Sequence, residues 1–115
     1  MPVTLYHNPK CAKSRATLKL LEDRGLKPRV VEYLKTPPSA TELQRLLGLL
    51  GLKPRALLRT KEPEYKQAGL DNLELPDTQI IRAMIKFPKL IERPIVVSGK
   101  KAALGRPPEN ILKIL

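Results

Sequence analysis

The order of strand-forming and helix-forming segments constrains the fold of this 115-residue chain more than any other feature. Residues 3–7 alternate and are prone to β structure, which predicts a first strand. Residues 12–24 predict a helix that ends at Gly25, and residues 29–33 predict a second strand. A strand, a helix and a strand within about thirty residues are typical of a right-handed βαβ unit with parallel strands.

Residues from about 39 to about 87 predict an all-helical insertion between β-containing ends. A capping box at residues 39–42 opens its first helix, and leucines follow at helical spacing until Gly51. Further helices are predicted from Pro54, from Pro63, and from Asp77 as a capping residue, the last ending before Pro88.

The C-terminal third of the chain returns to β structure. Residues 94–98 predict a strand that pairs with residues 101–104 through a two-residue turn at 99–100, and Pro107 and Pro108 open a final helix. The whole pattern predicts an α/β protein with a small four-stranded mixed sheet. The length predicts a single domain, residues 1–115, that contains the helical insertion.

Composition and charge exclude several classes of protein. No apolar run approaches the roughly 18–20 residues of a membrane span, and the N-terminus lacks the pattern of a signal peptide. We therefore expect a cytoplasmic protein without a membrane partner. The net charge of +11 fits either an anion-binding protein or a solvated basic surface. Because the basic residues are scattered and only four residues are aromatic, no nucleic-acid partner is predicted.

The chain has one cysteine, Cys11, and one histidine, His7. A single cysteine excludes an intramolecular disulfide, and one cysteine with one histidine cannot close a zinc site, so no metal site is predicted. Any oxidation of Cys11 must therefore be completed by a sulfur atom from another molecule.

Cys11 lies between the first predicted strand and the N-terminus of the first predicted helix. Unpaired N–H groups and the helix dipole at that end favour an anion such as a thiolate. Lys10, Lys13 and Arg15 add positive charge, and Ser14 could donate a hydroxyl hydrogen bond to the sulfur. The alternative is a small buried apolar side chain, which is the commoner role of a lone cysteine. The polar surroundings favour an exposed, reactive thiolate.

Four other side chains are candidates for the same site, each with a structural alternative. His7 either assists proton movement near Cys11 or forms a structural hydrogen bond at the end of the strand. Arg93 and Arg106 precede prolines, which restrict their backbones, and Arg59 ends an apolar stretch. Fixed guanidinium groups suit recognition of a tetrahedral oxyanion, but spacing alone does not separate these arginines from solvated surface residues.

Residues 6–15, Tyr-His-Asn-Pro-Lys-Cys-Ala-Lys-Ser-Arg, resemble the Y-H-N-P-x-C-x-x-S-R signature of the glutaredoxin-coupled arsenate reductases. The similarity continues through residues 33–38, 55–59, 93–97 and 105–107, and so covers essentially the whole chain. It implies a thioredoxin-like fold with a helical insertion and a cis peptide bond before Pro94. Because the sequence ends at Leu115, it is similar to a short branch of arsenate-reductase-like proteins.

By position, the resemblance implies that Cys11 is the nucleophile that attacks arsenate. It implies that Arg59, Arg93 and Arg106 bind the oxyanion. His7, Ser14 and Arg15 match residues that surround and activate the cysteine, with Pro94 beside the thiol. The implied partners are arsenate or a similar oxyanion, glutathione as thiol co-substrate, and glutaredoxin. No tightly bound cofactor and a monomeric state are expected.

Two alternative functions share this fold. One is a non-catalytic regulator that binds RNA polymerase. Such regulators typically carry Cys-x-x-Cys and lack the third arginine, so Ser14 and Arg106 favour the enzyme-like branch. The other is a generic monothiol reductase that removes glutathione from proteins.

Overall fold

The first two strands pair in parallel around one helix, as the βαβ pattern predicts. The computed structural model describes residues 2–115. The unit consists of β1 (Val3–Tyr6), α1 (Ala12–Asp23) and β2 (Arg29–Val31). Strand β2 is shorter than predicted because the carbonyl of Glu32 accepts hydrogen bonds from the N–H groups of Lys35 and Thr36, which turn the chain.

The C-terminal hairpin completes a four-stranded mixed sheet. Strands β3 (Ile95–Ser98) and β4 (Lys101–Leu104) are antiparallel, and β3 also pairs antiparallel with β1. The strand order is β2-β1-β3-β4. Gly99 lies in the turn with φ +61°, a conformation that favours glycine. The predicted α/β class and mixed sheet are confirmed.

Apolar side chains from the sheet, from α1 and from the C-terminal segment form one buried cluster. Leu5 of β1, Val96 of β3, Leu21 of α1 and Ile111 are all fully inaccessible to solvent. Burial of each such side chain contributes about 1.5–3 kcal/mol to the free energy of unfolding. This packing fixes α1 against the strands and so determines where Cys11, just before the helix, is held.

Residues Pro37–Glu92 form a second compact unit, while Arg93–Leu115 fold with the N-terminal residues up to Thr36. The second unit contains α2 (Ala40–Leu50), α3 (Pro54–Leu57), α4 (Pro63–Gln67), α5 (Asp77–Lys86) and a 3-10 turn (Pro88–Leu90). It slightly exceeds the predicted insertion of about residues 39–87. Its core includes the fully buried Leu43, Leu57 and Met84. The single-domain organisation stays a prediction.

Two helix boundaries differ from the sequence-based expectations. Asp77 was expected to cap α5, but Pro76 is the capping residue and Asp77 is the first helical residue. The final helix is a 3-10 helix (Pro108–Ile114), anchored by a 2.9 Å hydrogen bond from Asn110 Nδ2 to the carbonyl of Leu104. Among the helices of residues 2–115, none is long and apolar enough to cross a membrane.

Candidate active site

Cys11 is the N-cap residue of α1 and is half buried. The turn before it is closed by hydrogen bonds: the Cys11 N–H donates to the carbonyl of Asn8 at 3.0 Å, and the Lys10 N–H donates to Asn8 Oδ1 at 3.0 Å. The side chain of Arg15 donates to the carbonyl of Pro9 at 2.9 Å. The turn therefore holds the thiol at the positive end of a helix.

The environment of Cys11 favours the thiolate. Burial by itself raises the pKa of the Cys11 thiol, but hydrogen bonds from the backbone N–H of Ser14, the guanidinium of Arg93 and the backbone N–H of Lys13 lower it. The charge of Arg93 acts in the same direction. The net effect lowers the pKa of Cys11 below its ordinary value of 9.0. A larger fraction of the thiol is therefore the nucleophilic anion at neutral pH.

Ser14 supports the thiol through its backbone, not through its hydroxyl. The hydroxyl lies 2.6 Å from Nδ1 of His7, with which it shares a hydrogen bond, and it accepts a hydrogen bond from the Asn8 N–H at 3.0 Å. The expectation that this hydroxyl donates to the sulfur is wrong, because His7 and Asn8 engage it. Ser14 is fully buried, and its hydrogen bonds with His7 and Asn8 fix the end of β1 close to Cys11.

His7 is buried at the end of β1. Burial lowers the pKa of His7, the negative charge of Glu32 raises it and the positive charge of Arg15 lowers it, with a net decrease from 6.5. His7 is therefore neutral at neutral pH. Its hydrogen bond with Ser14 agrees with the alternative in which His7 forms a structural hydrogen bond at the end of the strand. A role in proton movement stays a prediction.

Arg93 brings a guanidinium group to the thiol from a distant part of the chain. Burial lowers the pKa of Arg93, whereas interactions with Cys11 and Tyr33 raise it, and the net pKa is raised. Arg93 therefore stays charged. Tyr33 is almost fully buried and interacts with Arg93, so it belongs to the site. The sequence did not indicate it as a site residue. Tyr33 begins segment 33–38, one of the segments that carry the family resemblance, and this was the available indication of its role.

Arg106 lies beside Arg93. Its Nη1 atom donates a hydrogen bond to the carbonyl of Arg93 at 3.2 Å. The peptide bonds Arg93–Pro94, as the resemblance implies, and Arg106–Pro107 are both cis. The structure thus brings together Cys11, Arg93 and Arg106 within the sheet-containing unit.

Gly105 allows the segment before Arg106 to approach α1. A methyl group at this position would lie 2.5 Å from Thr17 Oγ1 and 2.7 Å from Pro94 Cγ. Thr17 is fully buried and donates to the carbonyl of Lys13 at 2.8 Å, so it has little freedom to move. Only glycine fits between the helix and the Arg93–Pro94 segment.

Arg59 belongs to the second unit, where its contacts are with carboxylates. Its Nη1 atom lies 2.7 Å from Glu92 Oε1, and its Nε atom lies 3.3 Å from Glu62 Oε1. Residues 2–115 contain no group of three histidine, cysteine, aspartate or glutamate side chains that could hold a metal ion.

Comparison with known proteins gives a consistent result. The model of the ArsC family matches residues 6–114. The chain is 48% identical over 114 residues to an arsenate reductase of Neisseria meningitidis serogroup A, covering 98% of this chain and 97% of that protein. It is 50% identical over 114 residues to the uncharacterized protein YfgD of Escherichia coli K12, covering 98% and 96%.

A solved structure supports the same grouping. The arsenate reductase from Vibrio cholerae superposes with a TM-score of 0.97 at 53% identity, covering 100% of this chain and 98% of that one. The thioredoxin-like fold expected from the resemblance is confirmed.

Proposed function

Because the chain belongs to the ArsC family, we propose that it reduces arsenate, or a similar oxyanion, with electrons supplied by external thiols. Relatives at 47–50% identity that include arsenate reductases indicate an oxidoreductase. The observation that carries the proposal is the thiol of Cys11, whose pKa is lowered by Arg93 and by two N–H groups of α1. A cationic group at a thiolate suits an anionic substrate.

In the first proposed step, the Cys11 thiolate attacks the arsenic atom of arsenate. A sulfur–arsenic bond forms, and one arsenate oxygen takes up protons and leaves as water. Arsenic remains at oxidation state V. Arg93 and Arg106 hold the remaining oxygens, because guanidinium groups combine charge with directed hydrogen bonds. The oxyanion-binding role that the resemblance implies for Arg59 stays a prediction.

In the second step, a glutathione thiolate attacks the sulfur of Cys11. A sulfur–sulfur bond forms, and the electron pair of the sulfur–arsenic bond stays on arsenic, which becomes arsenic III and leaves as arsenite. The two electrons gained by arsenic are lost by the two sulfurs. A glutaredoxin thiol then attacks the glutathione sulfur and releases Cys11 as thiolate. Since the chain has one cysteine, both external sulfurs are required.

The test is arsenite formation by the full chain with arsenate, glutathione and glutaredoxin. Cys11→Ser is expected to reduce the rate to that of the protein-free mixture, because a serine hydroxyl is not ionised at neutral pH. The control is the double variant Cys11→Ser, Ser98→Cys, which restores a thiol at the opposite end of the sheet's central strands and is expected to stay inactive. Undiminished arsenite formation by Cys11→Ser would refute the proposal.

A further inference from the structure

Three neighbouring strands bring Cys11, Tyr33 and Arg93 to the same edge of the sheet. Strands β1 and β2 are parallel and their last residues lie opposite each other, so the segments that follow them leave at one edge. Strand β3 runs antiparallel to β1, and its first residue lies opposite the last residue of β1. Cys11 follows β1, Tyr33 follows β2 and Arg93 precedes β3, so the topology places all three together.

The backbone holds Tyr33 in a fixed position. The carbonyl of Glu32 accepts a 3.0 Å hydrogen bond from the N–H of Thr36, which closes a turn around Tyr33. The N–H of His7 donates to the carbonyl of Val31 at 2.8 Å and ties the start of this turn to the end of β1. The Tyr33 side chain is 1% exposed, and its hydroxyl oxygen is buried with it. A buried ring on a fixed backbone has few accessible rotamers.

The backbone of Arg93 is fixed as well, but its side chain needs a further constraint. The carbonyl of Arg93 accepts a hydrogen bond from Nη1 of Arg106 at 3.2 Å, and the next carbonyl, of Pro94, accepts one from the Gly105 N–H at 2.9 Å. An arginine side chain has many rotamers, so a fixed backbone does not determine the direction of its guanidinium. A partner at the guanidinium itself is required.

Tyr33 supplies that partner. The guanidinium of Arg93 interacts through hydrogen bonds with both Cys11 and Tyr33. A guanidinium has only donors, so the phenol oxygen is the acceptor in the second interaction. The five N–H groups of a guanidinium lie in one rigid plane, and fixing the direction of one therefore restricts all the others. The interaction with Tyr33 thus limits rotation of the group that donates to the sulfur.

We propose that Tyr33 is a positioning residue that orients the guanidinium of Arg93 toward the sulfur of Cys11 and thereby increases the reactivity of the thiol. This inference rests on the proposed function for the role of Cys11 as nucleophile. Without the phenol oxygen, Arg93 keeps its charge but donates to the sulfur less of the time. The N–H groups of Lys13 and Ser14, which also donate to the sulfur, are unaffected.

The experiment is alkylation of Cys11 by iodoacetamide in the full chain, measured as a function of pH. Tyr33→Phe removes one oxygen atom and keeps the ring that fills the buried position. We expect the midpoint of the profile to rise by roughly 0.3–1 pH unit, part of the roughly 1–3 units by which a neighbouring opposite charge shifts a pKa. Arg93→Met, which removes the whole group, should raise the midpoint further.

The matched control is Tyr65→Phe, which makes the same chemical change at a half-buried position of the second unit and should keep the wild-type midpoint. A double-mutant cycle supplies the specific readout. In the Arg93→Met background, Tyr33→Phe should not move the midpoint again, because no guanidinium remains to be oriented. A tyrosine that only fills space would affect the two backgrounds equally.

The outcomes separate this inference from the proposed function. An unchanged midpoint in Tyr33→Phe overturns the role of Tyr33 and does not touch arsenate reduction. A shift of equal size in the Arg93→Met background overturns it too. A wild type that forms no arsenite from arsenate, but whose midpoint rises in Tyr33→Phe only when Arg93 is present, overturns the proposed function and supports the orientation of Arg93 by Tyr33.

Discussion

The ionisation of Cys11 depends on donors of two kinds. The backbone N–H groups of Lys13 and Ser14 come from the first turn of α1, and the guanidinium of Arg93 comes from the segment before β3. The N–H groups are close to Cys11 in sequence, so the position of a cysteine just before a predicted helix already indicates them. The second exists only when β3 pairs with β1, so only the folded sheet brings Arg93 to the sulfur.

We expect Cys11 to react with iodoacetamide along a pH profile whose midpoint lies below the ordinary cysteine pKa of 9.0. The reacting fraction is the thiolate, which grows as pH rises through the pKa. Arg93→Met removes a hydrogen bond and a positive charge, so its midpoint should move upward. Arg82→Met, which alters an exposed arginine of α5, is the control and should keep the wild-type midpoint. Coincident profiles for Arg93→Met and the wild type would contradict this.

Burial of His7 makes the stability of the protein depend on pH. Burial lowers the pKa of His7 despite the opposing charge of Glu32, so the folded chain binds a proton less readily than the unfolded chain. Well above pH 6.5 both states are neutral at this residue, and its contribution to the free energy of unfolding is constant. As pH falls below 6.5, the unfolded chain binds the proton first and the free energy of unfolding decreases.

Urea denaturation between about pH 7.5 and about pH 5.5 measures this effect, since histidine is the side chain that titrates there. The chain has no second histidine. We expect the wild type to lose stability over this interval and His7→Gln to lose less. Parallel curves for the two proteins would show that His7 does not carry the dependence.

Ser14 and Tyr33 show where residue-level prediction stops. Sequence spacing correctly predicts that Ser14 is near the thiol, but it does not reveal that His7 and Asn8 bind the hydroxyl. Tyr33 is the last residue of the predicted second strand, and nothing in the neighbouring sequence indicates its contact with Arg93. Both facts depend on side-chain orientation, which is decided by tertiary packing.

At the scale of elements, the contact between α1 and the segment after β4 depends on Gly105. We expect Gly105→Ala to lower the free energy of unfolding by about 1–3 kcal/mol, the usual cost of overpacking. The new methyl group would meet Thr17 and Pro94, and the latter follows Arg93 directly. Reactivity of Cys11 should therefore decrease as well.

Gly48→Ala is the matched control. Gly48 lies inside α2, where, among residues 2–115, an added methyl group meets open space. This change should raise the free energy of unfolding by about 0.5–1 kcal/mol, because alanine favours the helix. Thermal or urea unfolding compares the two variants. Equal effects of the same sign would show that the close approach at Gly105 is unimportant.

The helix starts illustrate which element boundaries a sequence can predict. Ser39 accepts a 3.1 Å hydrogen bond from the Glu42 N–H, as the capping box predicts. Asp77 has similar chemistry, but Pro76 takes the capping position, and the carboxylate of Asp77 lies in the first turn. It still interacts favourably with the helix dipole there. The existence of these helices was predictable, and the first residue of α5 was not.

At the scale of the whole molecule, the net charge of +11 should attract anions to Cys11. Cys11 can be alkylated by anionic iodoacetate and by neutral iodoacetamide, and the ratio of the two rates measures the attraction of anions. We expect this ratio to be larger for Cys11 than for the free thiol 2-mercaptoethanol. The ratio should fall several-fold between about 0.01 and about 1 M salt, as the screening length decreases from about 30 Å to about 3 Å. A ratio that does not change with salt would show that the electrostatic field of the net charge has no effect at the Cys11 thiol.

The order of elements along the chain was predictable because each segment carries its own periodicity and its own end signals. Contacts between distant residues were not. Arg59 was expected from its position to bind an oxyanion, but its pairing with Glu92 depends on the backbone bridge between Leu58 and Ile91. No local pattern encodes a pair that forms across two separate segments.

Within residues 2–115, strand β2 forms an open edge of the sheet, with one side of its backbone not paired to another strand. Such edges invite aggregation by strand addition. Here the edge is three residues long, Arg29 is exposed, and Pro28 before it has no N–H to donate. These features protect the sheet against edge-to-edge association between molecules. The exposed Val30 can therefore be tolerated without making the protein prone to fibril formation.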